Sequence, residues 1–228
     1  SHPLPVALAA ALFMVAFDQW STASLEGVRP KVATTVFGLA SILAAVERRP
    51  LLAGLLGGLS LLCWQPGLCF LAGAAWPLAR GKGCGPNLGR LALGAFLPLA
   101  AVALWLWSAA ALGEFFEQAF VFNLSYIEWH ARSPADTVKQ LWWLARTWNG
   151  PEAGLAPLAA AGLAAEAWRR GAGPLAIAGL AYLALAFVSL QAWPDTILFA
   201  PFVAAGLAIG LARMARMASR LVPSETRG

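Results

Sequence analysis

Seven residues carry the chemistry that this sequence offers: Asp18, Glu26, Arg29, Lys31, Trp64, Gln65 and Asp195. All but Glu26 stand at the edges of long uncharged runs, and none lies inside one. Carboxylates so placed can take a proton as a general base or bind sugar hydroxyls, and Arg or Lys can neutralise a phosphate leaving group. A charge at the end of an apolar run is ordinarily a solvated anchor, so no single member of this set makes a site. Glu26, Arg29 and Lys31 are harder to set aside, because they crowd into one short polar interval after Asp18 in an otherwise apolar chain. Glu114 and Glu117 follow a later run in the same way. Spacing alone singles out no catalytic residue.

The elements that must position these residues are apolar. The chain is 60% hydrophobic and 12% charged, whereas a soluble domain carries about 25% charged residues. Its mean hydropathy is +0.68. Uncharged runs cover approximately residues 3–17, 32–46, 51–63, 67–79, 91–112, 153–165, 173–190 and 196–212. Each reads as a helix, and flanking Trp, Arg and Lys can extend the shorter ones into a membrane interface. Gly54 with Gly58, and Gly206 with Gly210, give spacings that let helix backbones approach closely. The expected fold is all-α, a polytopic transmembrane helix bundle in which the bilayer is the solvent.

Residues 51–79 decide the topology. One long crossing would put Arg48 and Arg49 opposite Arg80, Lys82 and Arg90, against the tendency of short cytoplasmic loops to collect Arg and Lys. Cys63-Trp64-Gln65-Pro66-Gly67 lies at the middle of the stretch, where Pro removes a backbone donor and Gly permits a turn. A short helical hairpin over 51–79 is therefore expected. It gathers Arg48, Arg49, Arg80, Lys82, Arg90, Arg169, Arg170, Arg213, Arg216, Arg220 and Arg227 on the cytoplasmic side, leaving the other five basic residues outside with most of the acids.

The longest polar stretch, 113–152, contains Trp129, Trp142, Trp143 and Trp148 among mixed charges. Aromatic rings with a polar edge favour the headgroup level, so interfacial helices are expected there on the non-cytoplasmic side. Residues 1–218 read as a single transmembrane domain and 219–228 as a disordered cytoplasmic tail, in a multi-pass protein of a plasma or bacterial inner membrane. The sequence opens at Ser1 with an apolar run close behind, and it reads as a fragment trimmed at its N-terminus.

Other patterns carry no chemistry. The net charge of +5 comes without a basic stripe interleaved with aromatics, so nucleic acid is not an expected partner. Cys63, Cys69 and Cys84 lack metal or redox spacing, His130 has no neighbouring histidine, and no cofactor or metal is expected. Gly81-Lys82-Gly83-Cys84-Gly85 has the composition of a phosphate loop without its Lys-Ser/Thr ending.

Three segments carry a resemblance. Glu26-Gly27-Val28-Arg29-Pro30-Lys31 leads into an apolar helix, Leu52 to Leu68 is a glycine-rich helix that breaks at a polar turn, and Asp195 precedes Leu198-Phe199-Ala200-Pro201-Phe202. In that order they resemble the C-terminal portion of the GT-C polytopic glycosyltransferases, which include dolichyl-phosphate-mannose mannosyltransferases and aminoarabinose transferases. The resemblance implies transfer of a sugar from a polyprenyl-phosphate donor, with inversion, at the non-cytoplasmic face. It also implies that the catalytic carboxylates stand in an acidic outer loop after the family's first helix, a loop that this sequence does not display. Membrane lipids are the remaining expected partners. Two other classes stay open from the residues themselves, a transporter or flippase and a noncatalytic membrane scaffold. Ion-coupled transporters usually place ionisable residues at mid-depth, and no uncharged run has one near its centre.

Overall fold

The computed structural model describes residues 4–25, 29–80, 83–122, 125, 133, 135–136, 138–139, 159–167, 173–189 and 197–221. Among these residues the chain is helical, without strands. The elements are α1 (Leu4–Ala16), α2 (Asp18–Leu25), α3 (Pro30–Val46), α4 (Pro50–Cys63), α5 (Leu68–Ala79), α6 (Cys84–Ser108) and α7 (Leu112–Phe116). A π-helical turn, Glu117–Val121, continues α7. Helical residues 159–167 (α8) follow, then α9 (Pro174–Ser189) and α10 (Ala200–Leu221). The last helix runs three residues into the stretch expected as a tail. Most of 113–152 lies outside the described residues.

Local sequence explains the helix boundaries. Pro30 and Pro50 open α3 and α4, positions where the fixed φ suits a first turn and the missing N–H costs nothing. Gly83, at φ 78°, precedes α6 in the left-handed conformation. Both α3 and α6 close with the paired hydrogen bonds of a Schellman motif. After α3, the Arg49 N–H donates to Ala44 O and the Arg48 N–H to Ala45 O. After α6, the Ala111 N–H donates to Leu106 O and the Ala110 N–H to Trp107 O. The left-handed residues are Arg48 (φ 62°) and Ala110 (φ 54°), where glycine would be the usual choice.

Between α4 and α5 the chain reverses. Trp64 is extended, and Gln65–Gly67 form one 3-10 turn. A Cβ on Gly67 would stand 2.6 Å from the Ser60 carbonyl, so the turn closes only on glycine. At the other end the Arg48 guanidinium donates to Pro77 O at 2.9 Å, one of the last helical carbonyls that α5 cannot satisfy. The start of α4 and the end of α5 therefore lie on one side.

Close contacts fix the directions of the other helices. Ser41 bonds Ala53 O, and Thr34 pairs with Ser60, so α3 and α4 are antiparallel. A methyl at Gly54 would overlap the Leu91 carbonyl, one at Gly94 the Leu51 carbonyl, and one at Gly58 would meet Pro98. Thus α4 and α6 run parallel, backbone against backbone. Gly162 lies against Gly206 and Gly210, and Glu166 reaches Arg213, so α8 and α10 are also parallel. Phe70 stacks on Phe202 at 5.8 Å, and Gly73 sits against Pro174 and Ala178 of α9, which joins α5 to both late helices. The main core collects Ile42, Phe70, Leu78, Tyr182, Leu198 and Phe202.

Among the described residues, two helices are long and apolar enough to cross a membrane, Cys84–Ser108 and Ile197–Ser219. Only 17% of the apolar window of α6 is buried, against 56% for the late helix. Leu93, Phe96, Leu97, Leu104, Trp105 and Trp107 of α6 are exposed, so its outward face is hydrophobic.

Candidate functional site

Lys31 is the second residue of α3, and Trp64 terminates α4. Because the helices are antiparallel, these two ends meet. The Lys31 ammonium sits 4.4 Å from the centroid of the Trp64 ring. Such a contact is worth about 0.5–1 kcal/mol when exposed and about 2 when desolvated; both residues are half-buried. The extended backbone of Trp64, φ −163° and ψ 135°, turns its ring out of the helical path. Its carbonyl accepts from the Gly67 N–H at 2.9 Å, which holds the reversal closed beneath it.

Gln65 is exposed, and its side-chain amide donates to Ala119 O at 3.4 Å, inside the π turn after α7. π turns recur at functional sites because the extra residue displaces the helical ladder. Glu117 begins this turn and Glu114 lies in α7; both are exposed. Phe116 stacks on Phe120 at 5.2 Å in the same piece. Arg29 caps α3 with an extended backbone, φ −84° and ψ 135°, two residues before Lys31.

The structure thus brings Lys31, Trp64 and Gln65 together, with Arg29 at the same helix end. Asp18 opens α2, and its side chain lies outside what the structure describes. Trp20 of α2 packs on the main core. Glu26 and Asp195 lie outside the described residues.

Below this end the interior is polar without charge. Thr34, Thr35, Ser41 and Ser60 are the buried polar residues among those described. Each hydroxyl donates to a carbonyl: Thr34 to Ser60, Thr35 to Lys31, Ser41 to Ala53 and Ser60 to Thr34. Three of these bonds tie α3 to α4, and that of Thr35 lies within α3.

The opposite end collects Arg48, Arg49, Arg80, Arg213 and Arg216. Arg80 lies 4.0 Å over the Trp76 ring. Arg213 Nη2 contacts Glu166 Oε2 at 2.6 Å, with the two side chains 16% and 18% exposed. Sequence reasoning missed this pair, since residues 47 positions apart leave no spacing signal. Reasoning also missed the capping box of Ser133 and Asp136, where the Asp136 N–H donates to the Ser133 hydroxyl at 3.2 Å and the hydroxyl donates to the Asp136 carboxylate at 2.7 Å. The spelling Ser-x-x-Asp is the signal that would have found it.

No family model, curated protein or solved structure matches this chain.

Proposed function

We propose that this chain is a polytopic membrane protein and the helical portion of a glycosyltransferase that takes sugar from a polyprenyl-phosphate donor at the non-cytoplasmic face. The observation that carries the reading is the Lys31 ammonium over Trp64, beside Gln65, at the helix end opposite Arg48, Arg49, Arg80, Arg213 and Arg216. A cation there suits a lipid phosphate, an aromatic ring suits the face of a sugar, and an amide suits its hydroxyls. In the reaction, an acceptor oxygen bonds to the anomeric carbon while the carbon–oxygen bond to phosphate breaks. The bonding pair leaves on the phosphate, whose growing charge Lys31 and Arg29 neutralise. A water-poor setting strengthens that attraction. Asp18, Glu26 and Asp195 are assigned to sugar hydroxyls, and the proton acceptor to the acidic outer loop that the family resemblance implies.

The membrane orientation follows from charge. With alternating helix directions, Arg48, Arg49, Arg80, Arg213 and Arg216 share one end, as cytoplasmic arginines do. Neutral, backbone-bonded Thr and Ser in the interior favour an enzyme of the interface over an ion-coupled transporter, whose cargo needs ionisable groups at mid-depth.

The test is Arg29→Ala and Lys31→Ala in the full-length protein, assayed for sugar transfer from a lipid-phosphate donor with thermal stability alongside. Transfer should fall at least about 10-fold, equivalent to about 1.4 kcal/mol of transition-state stabilisation, while melting changes little. Lys31→Arg should recover part of the rate. Normal transfer in both alanine variants would defeat the site. For topology, a cysteine introduced by Arg49→Cys and the native Cys84 should react with an impermeant reagent from the same side, and opposite-side labelling would sink the orientation.

A further inference from the structure

At the arginine-rich end, α1, α3, α8, α9 and α10 line a half-open cavity of about 420 Å³. Its wall is aliphatic, with Ala7, Ala10, Ile42, Leu163, Ala205 and Ile209 facing the space. Glu166 is the one ionisable group among the described lining residues, and its carboxylate is taken up by Arg213 at 2.6 Å. A water molecule needs two to four polar partners, which this wall does not supply. Hydrocarbon is the filling that fits.

Size and charge narrow the occupant. An apolar cavity of about 150 Å³ takes one benzene, so this one takes on the order of fifteen carbons. That matches one fatty acyl chain and is too small for two. The chain next to the wall carries net positive charge: Glu47, Arg48 and Arg49 follow Val46, with Arg49 held 3.5 Å from Glu47 and Arg48 donating to the Pro77 carbonyl, and Arg216 lies two turns beyond Ile209. We propose that the cavity holds one acyl chain of an anionic glycerophospholipid, whose phosphate is drawn to Arg48 and Arg216. The site is distinct from the Lys31–Trp64 end, and it rests on the membrane reading above without requiring glycosyl transfer.

The test places the full chain in phosphatidylcholine vesicles containing a small fraction of phosphatidylglycerol with a photoreactive acyl chain. Labelled peptides are mapped after illumination, and a parallel sample carries the same chain on phosphatidylcholine. Labelling at Ala10, Leu163 or Ile209 should be several-fold greater with phosphatidylglycerol. It should vanish in Ala205→Phe, which fills the space, and in Ala10→Phe, which fills it from the opposite wall; either variant that retains its melting transition suffices. The exposed face of α6, at Leu93, Phe96 and Leu97, should label with both lipids. Labelling of α6 without the cavity overturns the lipid site and leaves the membrane reading standing. Absence of label on α6 overturns the membrane reading, and the lipid site with it. Equal cavity labelling by both lipids, or displacement of the label by polyprenyl phosphate, overturns the phospholipid assignment.

Discussion

Thr34 and Ser60 each donate a hydroxyl to the other's backbone carbonyl, at 3.3 Å and 2.7 Å, and both are fully buried. They lie one helical turn from Lys31 and Trp64 respectively. The exchange fixes the register of α3 on α4, and that register sets the ammonium over the ring. Ser60→Ala should lower stability by about 0.5–2 kcal/mol, read as a lower melting temperature in detergent. Fluorescence of Trp64 should change with it. An unchanged melting curve would show that the register is held elsewhere.

The glycine seam between α4 and α6 gives a sharper contrast. Gly54→Ala would drive a methyl into the Leu91 carbonyl, and the helices must separate at a cost of about 1–3 kcal/mol or more. Gly89 has open space around its Cβ position, so Gly89→Ala should be neutral or slightly stabilising. Equal melting temperatures for the two variants would contradict the parallel packing.

The mostly buried pair of Glu166 and Arg213 should show strong coupling. Removing one partner strands a charge in a poorly solvated place, which costs about 3–5 kcal/mol when burial is complete, and less at the 16% and 18% exposures found here. Glu166→Gln and Arg213→Met should each destabilise the protein more than the double variant does. A double-mutant cycle with no interaction energy would remove the pair as a link between α8 and α10.

Asp136 supplies a pH dependence. The Ser133 hydroxyl bond is the leading cause that holds its carboxyl below the ordinary value, aided by Lys139 at 3.6 Å. A depressed folded pKa means that the contribution of the carboxylate to this helix start is present above the unfolded carboxyl range. It is lost as pH falls through the lower, folded value. Ser133→Ala should raise the Asp136 pKa in a carbon-13 titration of its carboxyl; no movement would disconnect the capping box from the shift.

The reversal at Trp64–Gly67 was legible because Pro66 and Gly67 interrupt a uniform apolar run, and turns are local. The runs read from 32 and 51 begin as helices slightly earlier, at Pro30 and Pro50. The run beginning at 91 hid the true start of α6 at Cys84, since Arg90 looked like a loop residue while it lies within the helix. The meeting of Lys31 with Trp64 follows from antiparallel helices of similar length, so the hairpin pattern suggested their approach. The bond from Gln65 to Ala119 was not legible. It depends on where a π turn carries α7, and a residue inserted into a helical ladder leaves no periodic mark. The cavity was equally hidden, being formed by small residues on separate helices that each read as ordinary packing.

The hairpin is short. Helix α4 has 14 residues, which at 1.5 Å per residue is about 21 Å, against a hydrocarbon layer of about 30 Å. On the membrane reading proposed above, with Arg48 and Arg49 at one surface, Trp64 would stop roughly 10 Å short of the other in a layer of that thickness. In that setting the lipid would thin or dip to meet it, at a fraction of a kcal/mol for each ångström of mismatch. The Lys31–Trp64 end is then the floor of a dimple rather than a feature of the surface. A phosphate tethered to a membrane-borne chain is lowered into that depression by its own tail, whereas a water-borne molecule has to descend into it from above.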